Sequence, residues 1–294
     1  MVLAIGVFDG VHLGHQAVIA RASADARRLG GRPVVVTFDP HPMRVLRPEK
    51  APHLLTSTPH KIRLIRDLGV EHLLMVHFDR AFAGTDPADF IRQLAQAARP
   101  LCEICVGHAW SFGKDRAGNL DLLNRLGNEM GFDEVGVPAV EVGGEIVSST
   151  LIRSAVERGD FAAAEAMLGR PYTILGTVRR GDGLGRQLGF PTANLSAHNE
   201  QFPPNGVYAV RAALDGETMS GVANIGVRPT IEQASGERII EVHLFDCDRD
   251  LYGRDLEVSF ARFVRSEQKF ANLEELKAQI ARDAEMVRRE MASA

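Results

Sequence analysis

Two histidines lie close together near the start of the chain, in the segment GVFDGVHLGH at residues 6 to 15. His12 and His15 flank Gly14, and Gly10 precedes them. Histidine side chains can donate hydrogen bonds to phosphate oxygens, and glycine lets a backbone approach a ligand closely. The spacing is neither G-x-G-x-x-G nor a P-loop, which disfavours a dinucleotide-dependent dehydrogenase. The segment therefore predicts phosphate chemistry, with a plain helix cap as the alternative.

A second group of polar side chains follows in SSTLIR, residues 148 to 153. Ser149 and Thr150 place hydroxyl groups at a predicted helix start, and Arg153 lies on the first turn. A helix N-terminus presents unpaired N–H groups and the positive end of the helix dipole to an anion. Alone the segment indicates an N-cap, and together with the histidine segment it predicts a second phosphate cradle.

Glycines are dense in a segment that begins with Gly181, Gly183 and Gly185 and ends in Thr192 and Asn194. Backbone N–H groups near glycine can bind anions, and two oxygen-bearing side chains can hold one Mg²⁺ ion. A floppy surface loop is the alternative, and the residues alone do not decide between the two.

Glu241 lies in an alternating segment, residues 239 to 245, which predicts a strand. Glu241 and His243 would share one face of that strand, with aliphatic residues on the other. Polar residues on a solvent-facing side are common, so the pattern alone makes Glu241 a weak candidate for a catalytic base.

Cys102 and Cys105 have C-x-x-C spacing within a predicted strand over residues 101 to 106. Strand residues three apart point to opposite faces, and no second Cys or His pair lies at zinc-ribbon spacing. We expect two buried structural thiols. The odd total of three cysteines argues against a disulfide framework.

The first half of the chain alternates strand and helix patterns. The predicted strands cover residues 2 to 8, 34 to 38, 72 to 78, 101 to 106 and 135 to 142. The predicted helices cover residues 16 to 29, 58 to 68 with Thr58 as N-cap, 87 onward, and 120 to 130. This order predicts an α/β, Rossmann-like parallel sheet with helices on both faces, whose ligands bind at the carboxyl ends of the strands.

The pattern changes near Gly159. A helix is predicted over residues 161 to 168, and beyond it short alternating segments follow one another without helices between them. They predict a small antiparallel barrel, and capping-box spacing at residues 272 to 275 predicts a terminal helix to about residue 291. We therefore predict two domains, residues 1 to 168 and 169 to 294.

Charge and composition are those of an ordinary folded cytosolic protein, with 34 Lys plus Arg, 38 Asp plus Glu and 45% apolar residues. A net charge of −4 leaves no basic field for a nucleic acid. The start of the chain lacks a basic region and reaches Asp9 too soon for a signal peptide or membrane span. We expect a cytoplasmic protein with no membrane partner, and a weak homo-oligomer is left open.

Three segments taken in order are more specific than any one of them. GVFDGVHLGH, TFDPHP at residues 37 to 42 and VSSTLIR at residues 147 to 153 resemble the nucleotidyltransferase half of bacterial bifunctional riboflavin kinase/FAD synthetases. The resemblance implies that this half transfers AMP from ATP to FMN. It places near the ATP phosphates the residues His12, His15, Asp39, Ser149, Thr150 and Arg153.

The second half resembles the flavokinase module of the same family through GFPTAN, PPNGVYA, VANIG followed by RPT, and EVH followed by DLYG. The resemblance implies a six-stranded barrel that phosphorylates riboflavin with ATP. Thr192 and Asn194 would hold Mg²⁺ and ATP phosphates beneath the glycine loop. Glu241 would accept the proton of the riboflavin 5'-hydroxyl.

One position departs from the family pattern. Ala109, in VGHAWSFG, stands where the family usually has Asn or Asp. The predicted function is a bifunctional enzyme that makes FMN and then FAD. The alternatives are a flavokinase whose adenylyltransferase half is impaired, as Ala109 suggests, and a non-enzymatic flavin-binding protein.

Overall fold

The computed structural model describes residues 1–181, 183–227 and 238–292, with the backbone alone for Asp115. The RPT segment at residues 228 to 230 lies outside the described residues. The chain forms two compact units, Met1–Leu54 with Thr58–Leu151, and Leu55–Ser57 with Ile152–Ala294. This division comes earlier in the chain than the predicted one after residue 168.

The first unit contains a five-stranded parallel sheet in the order β3-β2-β1-β4-β5. Its strands are β1 (Val2–Ile5), β2 (Pro33–Asp39), β3 (His72–His77), β4 (Glu103–Gly107) and β5 (Asp133–Val137). Its helices are α1 (Leu13–Arg28), α2 (Pro42–Leu46), α3 (Thr58–Asp67), α4 (Arg80–Ala83), α5 (Pro87–Ala97) and α6 (Leu120–Met130), with short 3-10 helices at Pro48–Lys50 and Lys114–Arg116. A small hairpin follows, formed by β6 (Glu141–Val142) and β7 (Glu145–Ile146).

Helices cover both faces of this sheet. Successive strand residues point to opposite faces, so Val2 and Ala4 pack in one apolar cluster with residues of α1 and α3. Leu3 and Ile5 pack in the other cluster, with residues of α5 and α6. The predicted parallel sheet with helices on both faces is confirmed, and it brings the ends of β1 and β2 side by side.

Several predicted boundaries in this unit are wrong. The strand predicted over residues 2 to 8 ends at Ile5. The helix predicted to begin at residue 16 begins at Leu13, because His12 serves as its N-cap. The strand predicted over residues 135 to 142 ends at Val137, because Pro138 has no N–H to continue the ladder. Thr58, predicted as an N-cap, lies inside α3.

The cysteine prediction is half right. β4 begins at Glu103, so Cys102 lies before the strand and is only partly buried. Cys105 lies within the strand and is fully buried. The prediction of two buried thiols therefore holds for Cys105 alone.

The second unit is built around a closed six-stranded barrel in the order β10-β11-β12-β9-β8-β13. Its strands are β8 (Thr173–Arg179), β9 (Ala193–Ala197), β10 (Gly206–Leu214), β11 (Glu217–Val227), β12 (Arg238–Leu244) and β13 (Asp255–Arg265). The remaining helices are α7 (Ser149–Glu157), which the division of the chain crosses, α8 (Phe161–Leu168), α9 (Leu184–Leu188) and α10 (Leu273–Ala292). The predicted antiparallel barrel with a terminal helix is confirmed.

The sequence places particular side chains on the outside and inside of this barrel. On β12, Ile240, Val242 and Leu244 are buried, whereas Glu241 and His243 are partly exposed, as the alternating pattern predicts.

In the described parts of the chain, no helix is both long enough and apolar enough to cross a bilayer.

Candidate functional site

The two histidines of the first segment form a stacked pair at the start of α1. His12 Nδ1 accepts a hydrogen bond from the His15 backbone N–H at 3.3 Å, so a neutral His12 ring carries its proton on Nε2. The His12 and His15 rings stack with centroids 3.5 Å apart and planes 19° apart, and Phe8 meets His15 edge-on. The helix-cap alternative is thus partly true, since the His12 ring caps α1 and also stacks on His15.

His15 is held in its uncharged form. Burial, followed by the charges of His12 and Lys61, lowers the pKa of His15 well below its ordinary value of 6.5. Its Nδ1 atom is buried without a hydrogen-bond partner among the described residues. Buried polar atoms usually have a partner, so this atom is a candidate for contact with a bound ligand.

The loop between β1 and α1 is fitted closely around the histidines. Gly10 has a φ of 84°, in the left-handed region that favours glycine. A Cβ atom on Gly14 would lie 3.2 Å from the His12 ring, so a larger residue would push against it. The glycines of this segment therefore shape the backbone around the histidine pair.

The start of α7 reaches this loop. Ser149 Oγ donates a hydrogen bond to the Asp9 carbonyl oxygen at 2.9 Å. Thr150 beside it is exposed, and Arg153 lies on the next turn of the same helix. The structure thus joins Ser149 to the histidine segment, whereas the placement of Thr150 and Arg153 at phosphates stays a prediction.

Asp39 ends β2, the strand next to β1. Its carboxylate accepts a hydrogen bond from Thr58 Oγ1 at 2.6 Å, which fixes its orientation. Because parallel strands end at the same edge of a sheet, Asp39 and the loop after β1 lie on the same edge. The structure therefore brings this predicted residue to the edge where His12 begins α1.

The sequence analysis missed one charged residue at this edge. Lys61, on α3, is only 6% exposed. Its Nζ donates hydrogen bonds of 3.2 Å to three oxygens, namely the Val7 carbonyl, the Phe38 carbonyl and Thr37 Oγ1. Burial lowers the pKa of Lys61, and the nearby Asp9 and Asp39 carboxylates oppose that shift. The signal was its position four residues before the buried Ile65, which puts both on one helix face.

In the barrel, strand pairing places the predicted catalytic residue opposite a predicted ligand. Glu241 on β12 faces Asn194 on β9 and Asn224 on β11 across the two neighbouring ladders. These three residues and Thr192 line a cavity of about 410 Å³, which Gly183 and Gly185 also border. The structure therefore brings the predicted residues of the second half, except Gly181, into the lining of one cavity.

The glycine segment packs directly against the two predicted ligands. A Cβ atom on Gly181 would lie 2.3 Å from Asn194 Nδ2, and one on Gly185 would lie 3.0 Å from Thr192 Oγ1. Gly183 precedes the short helix α9, so the segment is not wholly a loop. Only glycine fits this closely, which favours a shaped cradle over the floppy-loop alternative.

Thr192 also borders a second cavity, of about 360 Å³. Arg180 and Arg186 line this second cavity, and Arg180 lies 5.3 Å from the ring centre of Tyr252. The first cavity combines apolar residues of the barrel and α10, such as Val207 and Ile280, with charged ones, such as Arg265 and Glu267. The second cavity carries Asp248 and Asp250 beside its arginines, and Thr192 lines both cavities. The sequence analysis singled out neither arginine.

The buried thiol of Cys105 belongs to a small polar cluster that includes Glu103, the first residue of β4. Cys105 Sγ donates to Glu103 Oε1 at 3.0 Å, and the Asp25 carboxylate lies with them. Burial and the Glu103 carboxyl raise the pKa of the Cys105 thiol, so it stays protonated. These groups bind one another, in keeping with a structural role for Cys105.

Ala109 lies in an exposed turn after β4. Ser111, two residues farther on, accepts a hydrogen bond from Arg116 Nε at 2.8 Å. Trp110 stacks on Phe112 with ring centres 4.1 Å apart. The turn therefore carries an aromatic pair, and the Ser111 hydroxyl already accepts a hydrogen bond.

Comparison with known proteins covers both units. Residues 1–151 match the family model of FAD synthetase, and residues 168–291 match that of riboflavin kinase. The chain is 42% identical over 283 residues to an Escherichia coli (strain K12) protein named bifunctional riboflavin kinase/FMN adenylyltransferase, covering 96% of this chain and 90% of the relative. A Bacillus subtilis (strain 168) protein of the same name is 39% identical over 290 residues, covering 96% and 90%.

A solved structure from Streptococcus pneumoniae, described as a macrolide-efflux protein, superposes with a TM-score of 0.83. It is 30% identical, and the match covers 98% of this chain and 93% of that one. The two family models and the two relatives, which match almost the whole chain, indicate the same family. The chain belongs to the family of bifunctional riboflavin kinase/FMN adenylyltransferases.

Proposed function

We propose that this chain phosphorylates riboflavin with ATP to give FMN, and then adenylylates FMN with a second ATP to give FAD and pyrophosphate. The proposal rests on the observation that each unit has its own group of candidate functional side chains. These are the stacked histidines at the carboxyl ends of the parallel strands, and Glu241 facing Asn194 in the barrel. The family models match the same two parts of the chain.

In the barrel, the two cavities that share Thr192 suit the two substrates of a kinase. Arg180 and Arg186 of the second cavity suit the anionic phosphates of ATP, and the apolar residues of the first cavity, such as Val207 and Ile280, suit the riboflavin ring system. Glu241, in the first cavity, accepts the proton of the 5'-hydroxyl as that oxygen attacks the γ-phosphate. Thr192 lies where the two substrates would meet.

Thr192 and Asn194 fit a magnesium ion. Their hydroxyl and amide oxygens are the hard donors that Mg²⁺ prefers, and the glycine segment leaves no Cβ atoms to block an approach to them. The chemistry that Mg²⁺ supplies when bound is to offset the negative charge of the ATP phosphates. The glycine segment would cover those phosphates with its backbone N–H groups.

In the sheet unit, the FMN phosphate is itself the nucleophile, so no protein base is needed. The proposed roles of His12 and His15 are to bind the ATP phosphates and stabilise charge that develops on the α-phosphate. Ser149, Thr150 and Arg153 would hold the other phosphate oxygens, and Asp39 would lie beside them.

Four statements stay predictions from the sequence: a cytoplasmic location, a weak homo-oligomer, and the absence of nucleic-acid and of membrane partners.

The test is to incubate the purified chain with riboflavin, ATP and magnesium and to separate FMN from FAD by chromatography. His12→Ala should abolish mainly FAD formation. Glu241→Gln should lower FMN formation by about 10²- to 10⁴-fold, while added FMN is still adenylylated. Phosphorylation within a few-fold of the parent in Glu241→Gln would refute the proposed base.

The same assay separates the alternatives. FMN that accumulates without FAD would favour a kinase with an impaired adenylyltransferase half. This is the second candidate function, because the exposed Ala109 lacks the polar side chain that the family usually has there. Flavin binding without any turnover of ATP would favour a carrier protein instead.

A further inference from the structure

Lys61 occupies an unusual place for a lysine. It is 6% exposed, whereas lysine is almost never buried unless it is paired. Its Nζ donates to three uncharged oxygens at 3.2 Å: the Val7 carbonyl, the Phe38 carbonyl and the Thr37 hydroxyl. An ammonium has three N–H donors and a neutral amine has two, so the three acceptors match the donors of the charged form.

These three contacts tie the ends of two strands together. Val7 follows β1, at the entry to the histidine loop, whereas Thr37 and Phe38 belong to the end of β2. Thr37 Oγ1 also donates to the Val7 carbonyl at 3.0 Å, so the Thr37 hydroxyl lies between the lysine and the loop. One turn earlier on the same helix, Thr58 holds Asp39. The first turns of α3 therefore fix both strand ends.

Lys61 also places a fixed positive charge beside the histidine pair. The groups that act electrostatically on His15 are His12, stacked on it, and Lys61 from α3. Lys61 itself is beside the Asp9 and Asp39 carboxylates. The positive charge disfavours a second charge on His15, in addition to the effect of burial.

We propose that Lys61 is a positioning residue for adenylyl transfer, whose ammonium joins the ends of β1 and β2 beneath the histidine loop and sets a positive charge near the His12 and His15 pair. It acts through protein groups, since its three donors are already used by protein oxygens. The inference rests on the proposed adenylyltransferase function of this unit. It adds a residue outside the phosphate-binding segments, on a helix that only the fold brings to them.

The test compares three variants of the full-length protein. Lys61→Met removes the charge and the three donors at similar length. Lys61→Arg keeps the charge but cannot place a planar guanidinium on the same three oxygens. Arg66→Met removes an exposed cation from the last turn of the same helix and is the matched control.

Two readouts are measured. The first is kcat and KM for FMN adenylylation, with thermal unfolding of the same samples as the check on folding and riboflavin phosphorylation as the check that the effect is confined to adenylyl transfer. In Lys61→Met and Lys61→Arg, kcat should fall on the order of 100-fold with a smaller change in KM, because misplacement of a site by about 1 Å has that effect. Arg66→Met should match the parent.

The second readout is the titration of the His15 ring followed by NMR, assigned with His15→Gln. The His15 pKa should rise in Lys61→Met and stay low in Lys61→Arg, a result that a merely structural lysine would not produce. If Lys61→Met keeps kcat within two-fold, or if its His15 titration does not move, the proposal is overturned.

Two further outcomes also decide. If Lys61→Met fails to fold, as its thermal unfolding curve would show, Lys61→Arg carries the test, and an unchanged kcat there overturns the positioning role. If the parent makes no FAD from FMN, the proposed function fails. The His15 titrations in parent and variants then still confirm or overturn the electrostatic role of Lys61.

Discussion

Gly181→Ala should impair riboflavin phosphorylation without unfolding the protein. The new Cβ atom would lie 2.3 Å from Asn194 Nδ2, so the Asn194 amide must move by about 1 Å to reach ordinary van der Waals contact. Overpacking of this kind costs about 1 kcal/mol at its low end, and the smaller unfolded-state entropy of alanine offsets about 0.4–1 kcal/mol. Stability should therefore change little, because a flexible amide moves and the backbone does not.

The rate should change much more than the stability. A displacement of about 1 Å in a group that holds ATP phosphates costs on the order of 100-fold in kcat, equivalent to about 2.7 kcal/mol in the transition state. The assay is steady-state FMN formation, with FMN adenylylation and thermal unfolding measured on the same sample. Gly31→Ala is the matched control, since its Cβ would meet nothing closer than 3.8 Å.

A double-mutant cycle identifies the residue through which Gly181→Ala acts. If the substitution acts only by moving the Asn194 side chain, Gly181→Ala combined with Asn194→Ala should be no slower than Asn194→Ala alone. Fully additive losses would contradict this reasoning, as would a Gly181→Ala protein that retains kcat within two-fold.

Three other perturbations have expected results. Ala109→Asn should raise FMN adenylylation by roughly 5- to 150-fold, because one desolvated polar contact contributes about 1–3 kcal/mol. Riboflavin phosphorylation should stay unchanged, and steady-state kinetics of both reactions in parent and variant test this prediction. Thr58→Val removes the donor to Asp39 and should lower adenylylation about 5- to 10-fold at unchanged phosphorylation, which the same assay measures. Burial raises the pKa of Glu103 above 4.5, so its folded form binds more protons than its unfolded form and stability falls as the pH rises above 4.5. Glu103→Gln should flatten that decline in urea unfolding curves measured from pH 4.5 to 7, and an equal slope in both proteins would contradict the assigned cause.

The helices that could be predicted to the residue are those with conventional ends. Asn119 caps α6 by accepting from the Leu122 N–H, and Gly131 ends that helix in the left-handed region. Asp160 and Gly169 do the same for α8. Both residue types are strong local signals, because a side-chain oxygen satisfies the first N–H groups and glycine adopts positive φ without strain.

Elements with unconventional ends were less predictable. Histidine is not among the preferred N-caps, so the cap that His12 provides was not expected, and the predicted start of α1 came too late. Pro138 ends β5, yet the apolar run continues beyond it and suggested one longer strand. Local apolar pattern extends past such breaks, whereas backbone hydrogen bonding does not.

The site residues divide along a similar line. Glu241 and Asn194 were identified by resemblance, but only the antiparallel register shows that they face each other. Lys61 was overlooked because a lysine on an amphipathic helix is most often in solvent. Its spacing from the buried Ile65 indicates the inward face of α3, but its three oxygen partners depend on where α3 packs against two strand ends, which the local pattern does not encode.

The closed barrel also constrains how the chain is made. β8 completes its pairing only with β13, where Thr173 faces Ser259, so the ring cannot close until the ribosome has delivered nearly the whole protein. At roughly 5 to 20 residues per second, β8 waits about 4 to 17 seconds with an unpaired edge. During that interval the nascent chain exposes a strand that other chains can pair with. A stop codon before β13 would make that exposure permanent, so a chain that lacks β13 and the following helix α10 should be an aggregating fragment and not a weakened kinase.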